Sequence, residues 1–283
     1  MLLSYLLAKV ILQARFRFNV DRDIIIPPFS PKVSKILLHS ISELYSNIYS
    51  SNISFKPLSI SPILSDDKPL LKYGITDRPL ILYANKQYSF ITTLILNEND
   101  TFNDMLDLSN NSIKLFNSTA TIDSINITIR RFDNIKLDIS NGFVKMVFVS
   151  PILIQLPSYG RFKRGRHLLF PIPSIMMRSL IDHWNTYAPI QLRVKNPIYA
   201  SLYSNYMLVE VDHYIKPVTV VYDKRRKPRG FIGWTVYKVV KSRSKYNNVI
   251  QRLLAYSNYI GIGRSRSTGF GNVNTFILSD KQA

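Results

Sequence analysis

Gly261-Ile262-Gly263-Arg264-Ser265-Arg266-Ser267-Thr268-Gly269-Phe270-Gly271 puts four of the chain's ten glycines into eleven positions and sets two arginines among them. Glycine lacks a Cβ, so it reaches positive φ at little cost and lets a ligand approach the main chain, and amides in such turns can gather around an anion. The stretch reads as a phosphate-holding loop. Its flanks decide the fold. Upstream, Tyr246, Ile250, Leu253 and Ser257 recur at helical spacing, and residues 272–278 downstream read as a short strand. Helix, glycine loop, strand is the wrong order for the two common phosphate loops: a P-loop needs Lys and Ser/Thr opening a helix, and a dinucleotide fingerprint needs a preceding strand. A helix end leading into a strand needs one glycine, not four with two arginines.

Outward from the loop, the second half of the chain predicts a strand over 143–156, a helix over 174–187, strands over 206–222 and 231–240, a helix over 245–258 and the strand 272–278. The first half predicts the same plan. A strand over 3–18 precedes Pro27-Pro28 and a helix over 31–49, with Ser30 as its cap and Pro31 in the first turn. Strands follow over 53–64, 80–83 and 88–96, then a short helix over 102–108 and a strand over 122–132. The second half is β-α-β-β-α-β, and the first is approximately so. The expectation is an α+β chain of two tandem ferredoxin-like, RRM-like domains, 1–141 and 142–283, the second carrying the glycine-rich loop.

Thirty-seven Lys and Arg against 18 Asp and Glu leave a net charge of +19. A field of that sign and size points to nucleic acid as the partner. Met1 to Leu7 is apolar, but Lys9, Arg15 and Arg17 interrupt the segment beyond it, so a soluble, cytoplasmic chain with no membrane partner is expected. The absence of cysteine excludes disulfides, thiolate zinc sites and Cys nucleophiles. No His/Asp/Glu cluster has metal spacing, and Asp66-Asp67 reads as a turn, so neither metal nor cofactor is expected. His183 falls on an apolar helix face, as a hydrogen-bonded core histidine does; His167 and His213 stand without evident partners.

The glycine loop between the last helix and the last strand of a second ferredoxin-like unit resembles the RAMP superfamily of CRISPR-associated proteins. Val149-Ser150-Pro151-Ile152, Phe231-Ile232-Gly233-Trp234 and the stretch from Leu253 through the loop narrow the likeness to the CRISPR repeat-RNA endoribonucleases that cut precursor crRNA. The resemblance covers nearly the whole chain in layout and is most specific over residues 231–273. It implies CRISPR repeat RNA as substrate and a metal-independent cleavage: the ribose 2′-hydroxyl attacks the adjacent phosphate, leaving a cyclic phosphate and a 5′-hydroxyl. It also implies effector-complex subunits, and a second copy of the chain, as further partners.

That chemistry needs a base, cations for the phosphorane and a donor for the leaving oxygen. On the first predicted helix, Val33, Ile36, Leu37, Ile41, Leu44 and Ile48 form the core face and leave Lys32, Lys35, His39, Ser42 and Ser46 on the other. Lys35 and His39 are one turn apart. The ammonium favours a neutral imidazole and Glu43 pulls the other way, which leaves the sign open. In the family a catalytic histidine or tyrosine sits on or just after this helix and a lysine at the start of the next strand. By that resemblance His39 and Lys56 match, with Lys35 and Lys32 as further cations; no second histidine follows, which departs from the common tyrosine, histidine, lysine set and implies a slow nuclease. RNA-binding candidates are Gly261, Gly263, Arg264, Ser265, Arg266, Ser267, Gly269 and Gly271 of the loop, Arg161, Lys163, Arg164 and Arg166 of a basic aromatic stretch, and Arg229 beside the Lys224-Arg225-Arg226-Lys227 turn. Arg229 to Tyr237 approaches the RRM stacking signature with Ile232 as an extra residue, so a buried Trp234 is expected rather than base stacking. A non-catalytic RAMP subunit that binds crRNA and a general single-stranded RNA-binding protein remain alternatives.

Overall fold

A computed structural model of the chain describes residues 9–74, 79–97, 112–139, 142–156, 167–240 and 242–278. The described chain forms two compact units. One runs to Arg130 and includes Val220–Lys227 and Ser267–Gly269; the other takes Arg131–Thr219, Pro228–Arg266 and the chain from Phe270 onward.

The first unit is built on β1 (Lys9–Val20), whose Ala14, Phe16, Phe18 and Val20 are buried while Gln13, Arg15, Arg17 and Asn19 lie at the other face. That period-two alternation is what a half-buried strand requires. A short β2 (Ile24–Ile26) leads to α1 (Pro31–Ile41) and α2 (Glu43–Ser50), followed by β3 (Leu58–Ile60), β4 (Leu64–Ser65), β5 (Lys68–Pro69), β6 (Leu80–Leu82), β7 (Tyr88–Asn97), β8 (Ser112–Leu115) and β9 (Ser118–Arg131). β7 pairs antiparallel with β1 from Lys9 opposite Asn97 to Phe18 opposite Tyr88. The register sets Phe16 against Phe90, and the two rings stack at 4.9 Å. The sheet runs β5-β4-β7-β1-β9-β8, with β3 also paired to β7. Among the framework strands the order is β3-β7-β1-β9, the second, third, first and fourth in chain order, which is the ferredoxin-like interlock.

The second unit repeats it. β10 (Gly142–Ile152) is followed by β11 (Ile154–Gln155), β12 (His167–Leu168), α3 (Pro173–Tyr187), α4 (Pro197–Met207), β13 (Leu208–Thr219), β14 (Arg229–Val239), α5 (Tyr246–Ile260) and β15 (Val273–Leu278). The antiparallel sheet runs β13-β14-β10-β15, again second, third, first, fourth. The helices close one face: Ser257 of α5 bonds the Thr275 hydroxyl of β15 at 2.8 Å, and Tyr237 of β14 donates to the Pro171 carbonyl at 3.0 Å.

Four expectations change. The first helix breaks at Ser42, which is extended (φ −139°, ψ 113°) and whose Oγ accepts the Tyr45 N–H at 3.1 Å, capping α2. Ile36 is exposed, and Leu38 takes a place in the core. Ser30 sits before α1, but its Oγ accepts the Ile63 N–H instead of capping the helix. α4 is an addition to the predicted plan: its buried positions are Ala200, Ser201, Ser204 and Met207, too small and polar to sign an apolar stripe, although Asn196-Pro197 is a fair helix start. The helix expected over 102–108 and the beginning of the strand expected over 3–18 lie outside the described residues.

Candidate functional site

The break at Ser42 builds the site. It redirects the chain so that α2 returns its side chains to the last turn of α1, where His39 stands. His39 Nδ1 lies 2.8 Å from the Ser46 Oγ, and its ring meets Tyr45 and Tyr49 edge to face at 5.1 and 5.2 Å. Ser46 Oγ also donates to the Ser42 carbonyl at 3.1 Å. A hydroxyl has one proton; with that proton on the Ser42 carbonyl, the oxygen accepts from Nδ1–H, and the imidazole lone pair falls on Nε2. Burial, and then the Lys35 ammonium, hold the His39 pKa below its usual value. The sign left open by the sequence is therefore negative, and Glu43 does not reverse it. His39, Ser42, Glu43 and Ser46 line a shallow depression of about 500 Å³.

Tyr49 is the residue sequence reasoning missed. The Lys35 Nζ lies 3.7 Å above its ring and the Lys56 Nζ 4.9 Å from the same ring. Lys56 also donates to the Tyr49 carbonyl. One phenol thus gathers Lys35 and Lys56, with His39 against its edge; all four are half-buried. Tyr49 follows the histidine by ten positions, and only the kink at Ser42 brings it back. Tyr222, in the segment Val220–Lys227, has its pKa raised, chiefly by burial and then by the neighbouring Tyr49. Lys32 donates to the Tyr222 carbonyl, with its Nζ 4.7 Å from the Tyr222 ring, and burial lowers its pKa. Ser42, expected on this polar face, is instead buried as the cap.

In the glycine loop, amides expected from sequence to face an anion are spent on the fold. Those of Gly261, Ile262, Arg264, Phe270 and Gly271 donate to backbone carbonyls, and that of Gly263 donates to the Ser179 hydroxyl. The glycines are required by close backbone approach: a Cβ on Gly271 would sit 2.2 Å from the Ile262 oxygen, and one on Gly269 2.0 Å from the Pro31 Cβ that opens α1. Arg266 is 7% exposed; its Nε donates to the Gly263 carbonyl at 2.7 Å, and burial pushes its pKa down to about 10. It braces the loop from inside, a correction to its expected place on the RNA. Arg264 and Ser265 are exposed, and Arg264 also donates to the Gln155 side chain.

Arg229 is exposed at the start of β14, as are Lys224, Arg225, Arg226 and Lys227 in the turn before it. Asp223 shapes that turn by accepting the Arg226 amide at 2.7 Å, the Arg226 guanidinium and the Arg225 amide at 2.9 Å, which hold its carboxyl below the usual range. Arg161, Lys163, Arg164 and Arg166 lie outside the described residues. His183 is buried and bonds the Tyr256 hydroxyl at 2.8 Å, as a core histidine should, whereas His213 pairs with Glu210 at 2.5 Å, a partner the sequence did not suggest. Trp234, expected in the core, is half-exposed; Phe231 is the buried one, because a spacing of three residues puts the two on opposite faces of a strand. Among the described residues no group of three His, Asp or Glu could hold a metal ion, and no helix is long and apolar enough to cross a membrane.

Residues 12–130 match the family model described as the Cas6 N-terminal domain, and residues 146–273 match that of the CRISPR-associated endoribonuclease Cas6. A relative from Saccharolobus solfataricus, CRISPR-associated endoribonuclease Cas6 1, is 25% identical over 271 residues, covering 89% of this chain and 91% of its own. A solved Cas6 product complex is similar with a TM-score of 0.67 at 15% identity, over 94% of this chain and 100% of that one. Thermus thermophilus Cas6 is similar with a TM-score of 0.67 at 12% identity, over 95% and 99%.

Proposed function

The chain belongs to the Cas6 family of CRISPR-associated endoribonucleases that process crRNA, and from that premise we propose that it cuts CRISPR repeat RNA without a metal ion, through the ribose 2′-hydroxyl. The observation that carries the reading is the cluster of His39, Lys35, Tyr49 and Lys56: a neutral imidazole with its lone pair on Nε2, beside two ammonium groups on one phenol. His39 Nε2 takes the 2′-hydroxyl proton; the 2′-oxygen bonds to phosphorus; the bond from phosphorus to the 5′-oxygen breaks, and the departing oxygen takes a proton. The products are a cyclic phosphate and a 5′-hydroxyl. Lys35 and Lys56 offset the charge that grows on the phosphorane oxygens, and an ammonium or the Tyr49 phenol supplies the leaving-group proton.

RNA is held by exposed cations: Arg264 with Ser265 on the glycine loop, and Arg229 with the turn before it. Arg161, Lys163, Arg164 and Arg166 are proposed as further RNA contacts on charge alone. Gly261, Gly263, Gly269, Gly271 and the buried Arg266 serve by fixing the loop on which Arg264 is presented, and Ser267 lies in the turn Arg266–Thr268 of that loop. Effector-complex subunits remain the partners to look for once the crRNA is made.

Repeat RNA incubated with the protein in EDTA should yield one discrete cut, and a 2′-deoxy substitution immediately 5′ of the scissile phosphate should abolish it. Cutting that survives the deoxy change sinks the chemistry. Tight binding with no cut returns the chain to the non-catalytic, crRNA-binding reading.

A further inference from the structure

One face of the second unit's sheet is closed by helices; on the other, among the described residues, the rows combine aromatic rings with lysines. The register sets Tyr214 of β13 directly opposite Trp234 of β14, which faces Val147 of β10, which in turn faces Asn274 of β15. In the adjoining row Asp212 faces Val236, Val236 faces Lys145, and Lys145 faces Phe276. Directly paired residues of an antiparallel sheet point to the same side, so these rows share one surface. Tyr214 is 60% and Phe276 42% exposed, and Trp234 is half-exposed with the Lys145 ammonium 4.4 Å from its ring. Lys216 and Lys238, both exposed, belong to the flanking rows, opposite Ile232 and Phe143 respectively.

Tyr214 and Phe276, exposed on the two edge strands, and Trp234, exposed in part between them, give up apolar burial that a fold normally takes. Aromatic rings on a sheet face with lysines in the same and flanking rows fit a ligand with alternating π-faces and negative charge. Unpaired nucleotides are that ligand. From Tyr214 to Phe276 the face spans three inter-strand steps, about 14 Å, room for the two or three bases that a four-stranded sheet can stack. The lysines set the occupant's charge: Lys145, Lys216 and Lys238 favour a polyanion over a second copy of a chain that carries +19. The one carboxylate in these rows, Asp212, accepts the His213 N–H at 2.8 Å and stands on the edge strand.

We infer that this sheet face is a second RNA-binding surface, on which Tyr214, Trp234 and Phe276 stack unpaired bases while Lys145, Lys216 and Lys238 hold the adjoining phosphates. The Lys145 ammonium covers the Trp234 ring until a phosphate offers it a stronger partner. The surface deepens the proposed RNA-binding function and requires nothing of the cleavage chemistry, since none of its residues belongs to the His39 cluster.

Tryptophan emission reports on it, because the chain's other tryptophan, Trp184, is buried and serves as an internal reference. Titrating the full chain with a ten-nucleotide oligoadenylate should quench Trp234. Trp234→Phe should abolish the quench and keep the affinity, while Tyr214→Ala with Phe276→Ala should weaken binding about tenfold or more, as expected when stacked bases lose their rings. Tyr214→Phe should bind like the parent. Oligoadenylate that binds without changing Trp234 emission, or with equal affinity for the double alanine variant, overturns the inference. So does a self-associating chain that the double variant turns monomeric while oligoadenylate binding stays intact, since the face is then an interface between copies. A parent that fails to cut repeat RNA while Trp234 still responds removes the proposed cleavage and leaves this surface standing; cutting with no Trp234 response does the reverse.

Discussion

His39 carries the first prediction. Its pKa lies below the usual histidine value because burial and Lys35 disfavour the imidazolium, so the base form is already the majority at neutral pH. The single-turnover cleavage rate should rise with pH and level off below about 6.5, the unperturbed histidine value; a rate still climbing through pH 8 contradicts His39 as base. Since the folded pKa is below the unfolded one, His39 contributes stability that is present above the unfolded value and lost as pH falls through it toward the folded value. Replacing His39, Lys56 or Tyr49 by Ala should slow cutting with little change in RNA affinity, and unchanged single-turnover rates in all three would move the site elsewhere. The two loop arginines should part company. Arg264→Ala should weaken RNA binding and reduce the slope of log K against log salt by about 0.7, one phosphate contact on a single strand. Arg266→Ala should instead lower the melting temperature, because it empties a buried, hydrogen-bonded position. Sequence could not separate these neighbours: side-chain direction in an irregular loop follows no period.

At the scale of elements, the site depends on one broken helix. Had residues 31–49 continued as the single helix their periodicity predicts, the ring of Tyr49 would lie nearly three turns from His39, about 15 Å along the axis. The cap at Ser42 folds them together. Ser42→Ala should destabilise the chain by about 1 kcal/mol and slow cleavage more than that loss explains, read as a reduced single-turnover rate at a temperature where the fold is intact. Gly269→Ala is the second prediction at this scale. Its φ of +94° disfavours any side chain, and the added Cβ would meet the Pro31 ring that starts α1; we expect a loss of about 1–3 kcal/mol in chemical denaturation together with slower cutting. The strands were easier to read from sequence than this break. β1, β7 and β10 follow the alternation of a half-buried sheet, whereas the stop at Ser42 competes with apolar residues on both sides that fit a continuous helix. α4 escaped for the opposite reason, since Ala200, Ser201 and Ser204 give it no apolar stripe.

Over the whole molecule, charge and topology set what the chain can bind. A net +19 should make RNA affinity steeply salt-dependent. Six phosphate contacts to a single strand give a log-log slope of about −4, and a slope near zero between about 50 and 200 mM salt would contradict a backbone-tracking interface. The sequence by itself determined the sign of that field, the repeated β-α-β-β-α-β plan, the family likeness in the glycine loop and the candidacy of His39, Lys35 and Lys56, because composition, periodicity and local motifs are properties of the chain read in order. Only the tertiary structure decided that Tyr49 joins the cluster, that the glycines answer to backbone crowding, that Arg266 points inward and that Trp234 lies outside the core. Each of these turns on which atoms occupy the space beside a residue once distant segments have packed, and no window of neighbouring residues contains that information.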